Sequence, residues 1–275
     1  MWAKVKTRFI SAVFLIAALL LVTFVAPKWL FTIAVAMLTF AVMRELTVVL
    51  RQGTKPSIAI TNYIFAALYM IVGFLKADTA NRAIFLITIL YIMTLLVFSV
   101  IDNEHIKFSD VCSSLFLVFY SVVFLMHLSF IRNLDNGIAL LFMAFIGAYI
   151  TDTGAYFTGM LIGKRKLIPS VSPNKTVEGA IGGIVFTVIG FIIYGIIMGN
   201  LGHTVNYFYL FILAVICGVV SQFGDLSASV IKRSFNVKDF GDLIPGHGGI
   251  VDRVDSLIFV APVVYYFITF LPVIR

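Results

Sequence analysis

Long apolar runs separated by short polar turns dominate this chain. A helix that crosses a bilayer needs about 20 mostly apolar residues. Nine runs approach or exceed that length, at 9–26, 29–50, 58–75, 83–101, 111–131, 138–162, 177–199, 207–231 and 252–274. None shows the ten-residue alternation of a membrane β-strand, so the pattern predicts helices. The turns include Arg51-Gln-Gly-Thr-Lys-Pro56 and Arg132-Asn-Leu-Asp-Asn-Gly137, rich in turn formers. Only Pro27-Lys28 divides the first two runs, which predicts a helical hairpin. Lys4 to Arg8 ahead of the first run resembles a signal peptide, but the many later runs and the lack of a small-x-small cleavage site favour an uncleaved helix. No internal repeat, low-complexity tract or soluble domain interrupts the series.

Composition agrees. Of 275 residues, 61% are hydrophobic and 12% charged, and the mean hydropathy is +1.07. Soluble domains carry about 25% charged residues. A soluble enzyme, a disordered chain, a collagen-like chain and a disulfide scaffold are all excluded. The expected fold is an all-α integral membrane protein with about nine transmembrane helices. Residues 1–137 read as a scaffold of about five spans. Residues 138–275 read as a second domain of about four spans, with polar loops at 163–176 and 232–251. Cys112 and Cys217 lie in apolar runs and read as buried free thiols.

A net charge of +7 does not point to nucleic acid, because no basic stripe lies on a polar fold. Lys and Arg in membrane proteins set orientation instead. With nine spans, 15 of the 20 fall on the side of the N-terminus and 5 on the other. That split predicts a cytoplasmic N-terminus and an outside C-terminus.

The charge also clusters. Residues 225–255 hold nine of the 33 charged residues. Asp225, Ser229 and Lys232 share one helix face, with Asp225 about 10 Å deeper than Lys232. A carboxylate at that depth needs a partner or a metal. Asp252 and Asp255 share a face at the start of the last helix. Either alone is explained by a helix N-terminus or by Arg253; three converging carboxylates favour a hard, oxygen-ligated cation such as Mg²⁺. Ahead of them, Pro245-Gly-His-Gly-Gly249 allows close backbone approach. His247 there can contact phosphate or shuttle a proton, and otherwise reads as a structural hydrogen-bonder.

A second polar segment, Gly163 to Gly179, opens the seventh helix. Lys175, Thr176 and backbone N–H groups can hold phosphate at that helix N-terminus. Glu178 can ligate a cation or pair with Lys175. Ser172-Pro173 reads as an N-cap with proline at the first helical position. Lys164 to Lys166 read as topology determinants, and Gly179 with Gly183 as a helix-packing pair. Asp152 is another intramembrane acid and therefore a functional candidate. Glu45 beside Arg44 reads as one half of an ion pair. Together these features describe a place for polyphosphate and Mg²⁺ beside lipid. There is no P-loop, HExxH motif or Ser-His-Asp spacing.

One long run carries a resemblance. Ser229-x-Ile-Lys232-Arg233, then Lys238-Asp239-x-Gly241, then Ile244-Pro245-x-His247-Gly248-Gly249-Ile250-x-Asp252-Arg253-Val254-Asp255 resembles the phosphatidate cytidylyltransferase (CDP-diacylglycerol synthase) signature at every fixed position. Asp152-Thr-Gly-Ala-Tyr156 and Ser172-Pro-Asn-Lys-Thr-Val-Glu-Gly179 are similar to further segments of that family. The likeness is close over the last four spans and extends to the first five only in number and hydropathy.

The resemblance implies condensation of CTP with phosphatidic acid into CDP-diacylglycerol and pyrophosphate. It implies Mg²⁺, with room for a second cation, a homodimer, and a multi-pass protein of a bacterial plasma membrane with its site facing the cytoplasm. Asp225, Asp252 and Asp255 are then the expected metal ligands. These three with His247, Lys232 and Arg233 are the expected catalytic set, and the resemblance thereby implies that residues 138–275 are the catalytic domain. Asp152, Asn174, Lys175, Thr176, Glu178, Lys238, Asp239, Gly248, Gly249 and Arg253 are the expected substrate contacts. The alternatives are a CTP-dependent polyprenol kinase and a cation-coupled transporter using Asp152 and Asp225.

Overall fold

The computed structural model of the chain describes residues 20–51, 55–75, 77–243 and 248–274. His247 and most of the first apolar run lie outside the described residues. Helix dominates the remainder: α1 (Lys28–Val49), α2 (Pro56–Val72), α3 (Ala77–Ile101), α4 (Phe108–Asn133), α5 (Gly137–Ile162), α6 (Val177–Asn200), α7 (Tyr207–Ser234) and α8 (Val251–Phe270). Among the described residues seven helices are long and apolar enough to cross a membrane, and α2 is a shorter apolar helix of 17 residues. The chain is thus an all-α membrane protein in its main architecture. A short antiparallel hairpin is the exception, β1 (Lys166–Ile168) paired with β2 (Ser172–Thr176).

Two compact units divide the chain. The first takes the residues up to Phe130 together with Asp239–Val251; the second takes Ile131–Lys238 and the residues from Asp252 onward.

In the first unit several polar side chains of the helices bond to the helix backbone or to one another, as lipid surroundings favour. On α1 the hydroxyls of Thr39 and Thr47 each donate to the carbonyl four residues back, at 2.7 Å. Pro56 opens α2, where a missing N–H costs nothing. The Asp110 carboxylate accepts from the Lys107 N–H at 2.7 Å, satisfying the start of α4, and also pairs with Lys55. Between α2, α3 and α4 the Tyr91 hydroxyl donates to Asn62 Oδ1 at 2.7 Å, and Asn62 Nδ2 donates to Ser114 Oγ at 3.3 Å. These three buried polar side chains answer one another and need no ligand.

The second unit is built on close helix approach. A Cβ on Gly182 would lie 2.2 Å from Thr158 Oγ1, one on Gly154 would lie 2.5 Å from Phe186, and one on Gly183 would lie 3.0 Å from the Thr151 carbonyl. Glycine at these places lets α5 and α6 pack backbone to backbone, the packing role expected of Gly183. Gly218 on α7 likewise faces Ile184 on α6. Two π-helical turns interrupt otherwise regular helices, Phe119–Val123 in α4 and Ile146–Ile150 in α5.

Two sequence expectations fail here. Ser172 does not cap α6. It begins β2, and Thr176 is the cap, its Oγ1 accepting from Gly179 N at 3.1 Å. Pro173 is compatible with this because a two-stranded ribbon has only edge strands, where proline is tolerated. The thiols are free, but only Cys217 is buried; Cys112 is exposed.

Candidate active site

The second unit collects the charged residues of four elements. Lys175 stands on β2, one residue before the Thr176 cap. Its ammonium lies 2.5 Å from Asp225 Oδ2 on α7. Seven residues further along α7, Lys232 Nζ lies 2.6 Å from Asp252 Oδ1, in the first turn of α8. Helix α7 therefore supplies the acid of one pair and the base of the other. The second pair is the more enclosed: its side chains are 14% and 9% exposed, against 27% and 29% for the first.

Two more carboxylates join them. Asp152 follows the π-helical turn of α5, and its Oδ2 accepts from Ser256 Oγ on α8 at 2.8 Å. Asp255 Oδ1 accepts from the Ser256 N–H at 2.9 Å. Asp152, Asp225 and Asp255 lie near enough to repel one another electrostatically. Gly224 makes this proximity possible. A Cβ there would sit 2.6 Å from the Asp255 carbonyl oxygen, so α7 and α8 touch backbone to backbone beside the two acids.

Glu178 does not pair with Lys175. Its carboxylate accepts from the backbone N–H groups of Lys164 at 3.0 Å and Arg165 at 3.1 Å, tying the entry of the hairpin to the first turn of α6. Thr176 is buried and engaged as a cap. Asn174, Arg233, Lys238, Asp239 and Arg253 present exposed side chains, and Arg233 Nε reaches toward the Val171 carbonyl at 3.4 Å.

The first unit holds a residue that the sequence reading misplaced. Glu45 on α1 is buried, 7% exposed. Its carboxylate accepts from Ile250 N at 2.9 Å and Val251 N at 3.0 Å, so an ion pair with Arg44 is not what explains it. The neighbouring backbone is equally close: a Cβ on Gly241 would lie 2.7 Å from Glu45 Oε1, and one on Gly249 would lie 2.6 Å from Oε2. The available signal was a carboxylate within an apolar run, which is costly without partners. Ser256 was also missed; an isolated serine in an apolar helix carries no such signal.

Four carboxylates face two ammonium groups in the second unit, so negative charge is in excess. Oxygen-only donors with that excess suit a hard divalent cation. Among the described residues, however, no three His, Cys, Asp or Glu side chains converge on one point. The lysines occupy Asp225 and Asp252 as arranged. The expected trio of Asp225, Asp252 and Asp255 is thus spread over two sets, with Asp152 beside Asp225 and Asp255, and Asp252 beside Lys232.

Comparison with known proteins agrees with this chemistry. Residues 6–271 match the cytidylyltransferase family. A protein of Bacillus subtilis (strain 168) named phosphatidate cytidylyltransferase is 34% identical over 268 residues, covering 95% of this chain and 96% of the relative. Proteins of the same name from Staphylococcus haemolyticus (strain JCSC1435) and Staphylococcus saprophyticus are 39% identical over 168 residues, which is 61% of this chain and 63% of each relative. With a family match over nearly its whole length and a relative similar from end to end, this chain belongs to the cytidylyltransferase family.

Proposed function

We propose that the chain is a membrane-embedded phosphatidate cytidylyltransferase that condenses CTP with phosphatidic acid, giving CDP-diacylglycerol and pyrophosphate. The observation that carries this reading is the presence of two Lys–Asp pairs, with Asp152 and Asp255 bonded to Ser256, in one unit. The end-to-end similarity to the Bacillus subtilis protein of that name supports the substrate pair.

In the proposed reaction a phosphate oxygen of phosphatidic acid attacks the α-phosphorus of CTP. A phosphorus–oxygen bond forms as the bond to the β-phosphate breaks, and pyrophosphate leaves. Both reactants are anionic, so the site must supply positive charge. Lys175 and Lys232 are mobile point charges on long stems. Each is held by a carboxylate in the structure; in the proposed reaction its donors turn to phosphate oxygens and neutralise the departing pyrophosphate. Asp225, Asp152 and Asp255 would have to close together around Mg²⁺ to hold it, with Asp252 added once Lys232 is displaced. A bound Mg²⁺ supplies Lewis acidity and relieves repulsion between attacking and leaving oxygens.

The Lys232–Asp252 pair joins the last turn of α7 to the first turn of α8, so the site lies toward the ends of these helices. That depth suits a lipid phosphate at the headgroup plane. The uneven Lys and Arg distribution supports a cytoplasmic face and nine spans. The family resemblance supports a homodimer and assigns the catalytic work to residues 138–275.

Purified protein given labelled CTP and phosphatidic acid, with and without Mg²⁺, tests the proposal. Expected products are pyrophosphate and lipid-linked cytidine, formed only with the cation. Release of CDP with phosphorylation of a polyprenol would replace this reading with a kinase.

A further inference from the structure

The cytidylyltransferase signature includes a glycine-rich loop, residues 239–251, whose described part closes around a carboxylate from the other end of the sequence. Glu45 sits in α1, about two hundred positions earlier, and accepts the N–H groups of both Ile250 and Val251. Its oxygens leave no room for a Cβ at Gly241 or at Gly249, and a Cβ at Gly249 would also lie 2.8 Å from Gly241 N. The two glycines are thus in the sequence because the loop folds flush onto this acid. A carboxylate at the first N–H groups of α8 also matches the positive end of the helix dipole. Asp252 follows Val251 by one peptide bond. Fixing the Val251 N–H fixes where the first turn of α8 begins; Asp252 lies in that turn and Asp255 just beyond it.

We propose that Glu45 is a positioning residue for the reaction, holding Gly249 to Val251 at the start of α8 so that Asp252 and Asp255 are set for the cation and the phosphates. The inference rests on the cytidylyltransferase reading. Glutamine is the informative replacement. It keeps the volume, removes the charge, and turns one acceptor into a donor facing an N–H group.

The experiment compares wild type, Glu45→Gln, Glu45→Asp and Gly241→Ala as purified full-length proteins. Activity is titrated against Mg²⁺, and amide hydrogen exchange is followed along the chain. Wild-type synthesis of CDP-lipid is the control; its failure would remove the enzymatic reading itself, independently of Glu45. With an active wild type, Glu45→Gln is expected to lower the rate by at least about tenfold, as loss of a charged hydrogen bond does. It is also expected to raise the half-saturating Mg²⁺ concentration by about fivefold or more and to speed exchange at residues 249–251. A smaller folded fraction would lower the rate but leave the Mg²⁺ titration midpoint where it was. Gly241→Ala is expected to reproduce these changes by displacing the same carboxylate, and Glu45→Asp to show an intermediate effect. If Glu45→Gln does not fold, the other two variants carry the test. Unchanged Mg²⁺ dependence and unchanged exchange at 249–251 in the folded variants would overturn the proposal, whatever the rate.

Discussion

The ammonium group of Lys175 lies 2.5 Å from a carboxylate oxygen of Asp225, joining a hairpin strand to a membrane helix. Each residue therefore neutralises the charge of the other in this arrangement. On the proposed reading Asp225→Asn should reduce CDP-lipid formation by about a thousandfold or more, the scale of losing a cation ligand. The protein should still insert and run as wild type in detergent. Measurable turnover near the wild-type rate would remove Asp225 from the reaction.

Lys175→Met should leave Asp225 without its ion pair and, on the proposed reading, remove a phosphate contact. Turnover should fall by about a hundredfold, comparable to loss of one transition-state donor. Because the freed carboxylate has no competing ammonium, less Mg²⁺ should be needed for half-maximal rate. A Mg²⁺ titration of the mutant reads this directly, and a rise instead of a fall would contradict the competition.

Thr176 separates two roles that a sequence motif cannot. As the α6 cap it should tolerate serine, which keeps the acceptor oxygen for Gly179 N. Thr176→Val should lower stability by about 1 kcal/mol, the usual cost of losing a cap. Thermal unfolding in detergent measures that loss. A Thr176→Ser variant with wild-type melting but a large increase in KM for CTP would show a substrate contact beyond the cap.

Gly182→Ala should destabilise the second unit, since the new methyl would meet Thr158 at 2.2 Å. Overpacking of this kind costs about 1–3 kcal/mol. Thr158→Gly in the same chain should recover most of the loss, because it reopens the space. Failure of that rescue would mean that the glycine serves something other than helix approach.

Much of the architecture was legible because lipid imposes one strict rule, that backbone groups bond within the segment. Eight of the nine apolar runs correspond to helices α1 to α8, with ends shifted by a few residues. The hairpin was not legible: β1 has three residues and no alternation to read. The chemistry of Lys175, Asp225, Lys232 and Asp252 could be read as a group from charge placed against an apolar background. Their pairing could not, because Lys175 is fifty residues from Asp225 and nothing local favours it over Glu178 as a partner. Glu45 was misread for the same reason. Its answering groups are backbone N–H donors at Ile250 and Val251, which no residue letter announces.

The contact at Gly224 has a consequence for ion choice. Where α7 meets α8 there is no side chain between the backbones to yield. On the proposed reading, the acids carried by these helices then keep a nearly fixed separation whatever ion arrives. Mg²⁺–oxygen distances are about 2.0–2.1 Å and Ca²⁺–oxygen distances about 2.3–2.6 Å. Two locked backbones convert that small difference into a gauge of ionic radius, and Gly224→Ala, by prising them apart, should shift the preference toward the larger ion.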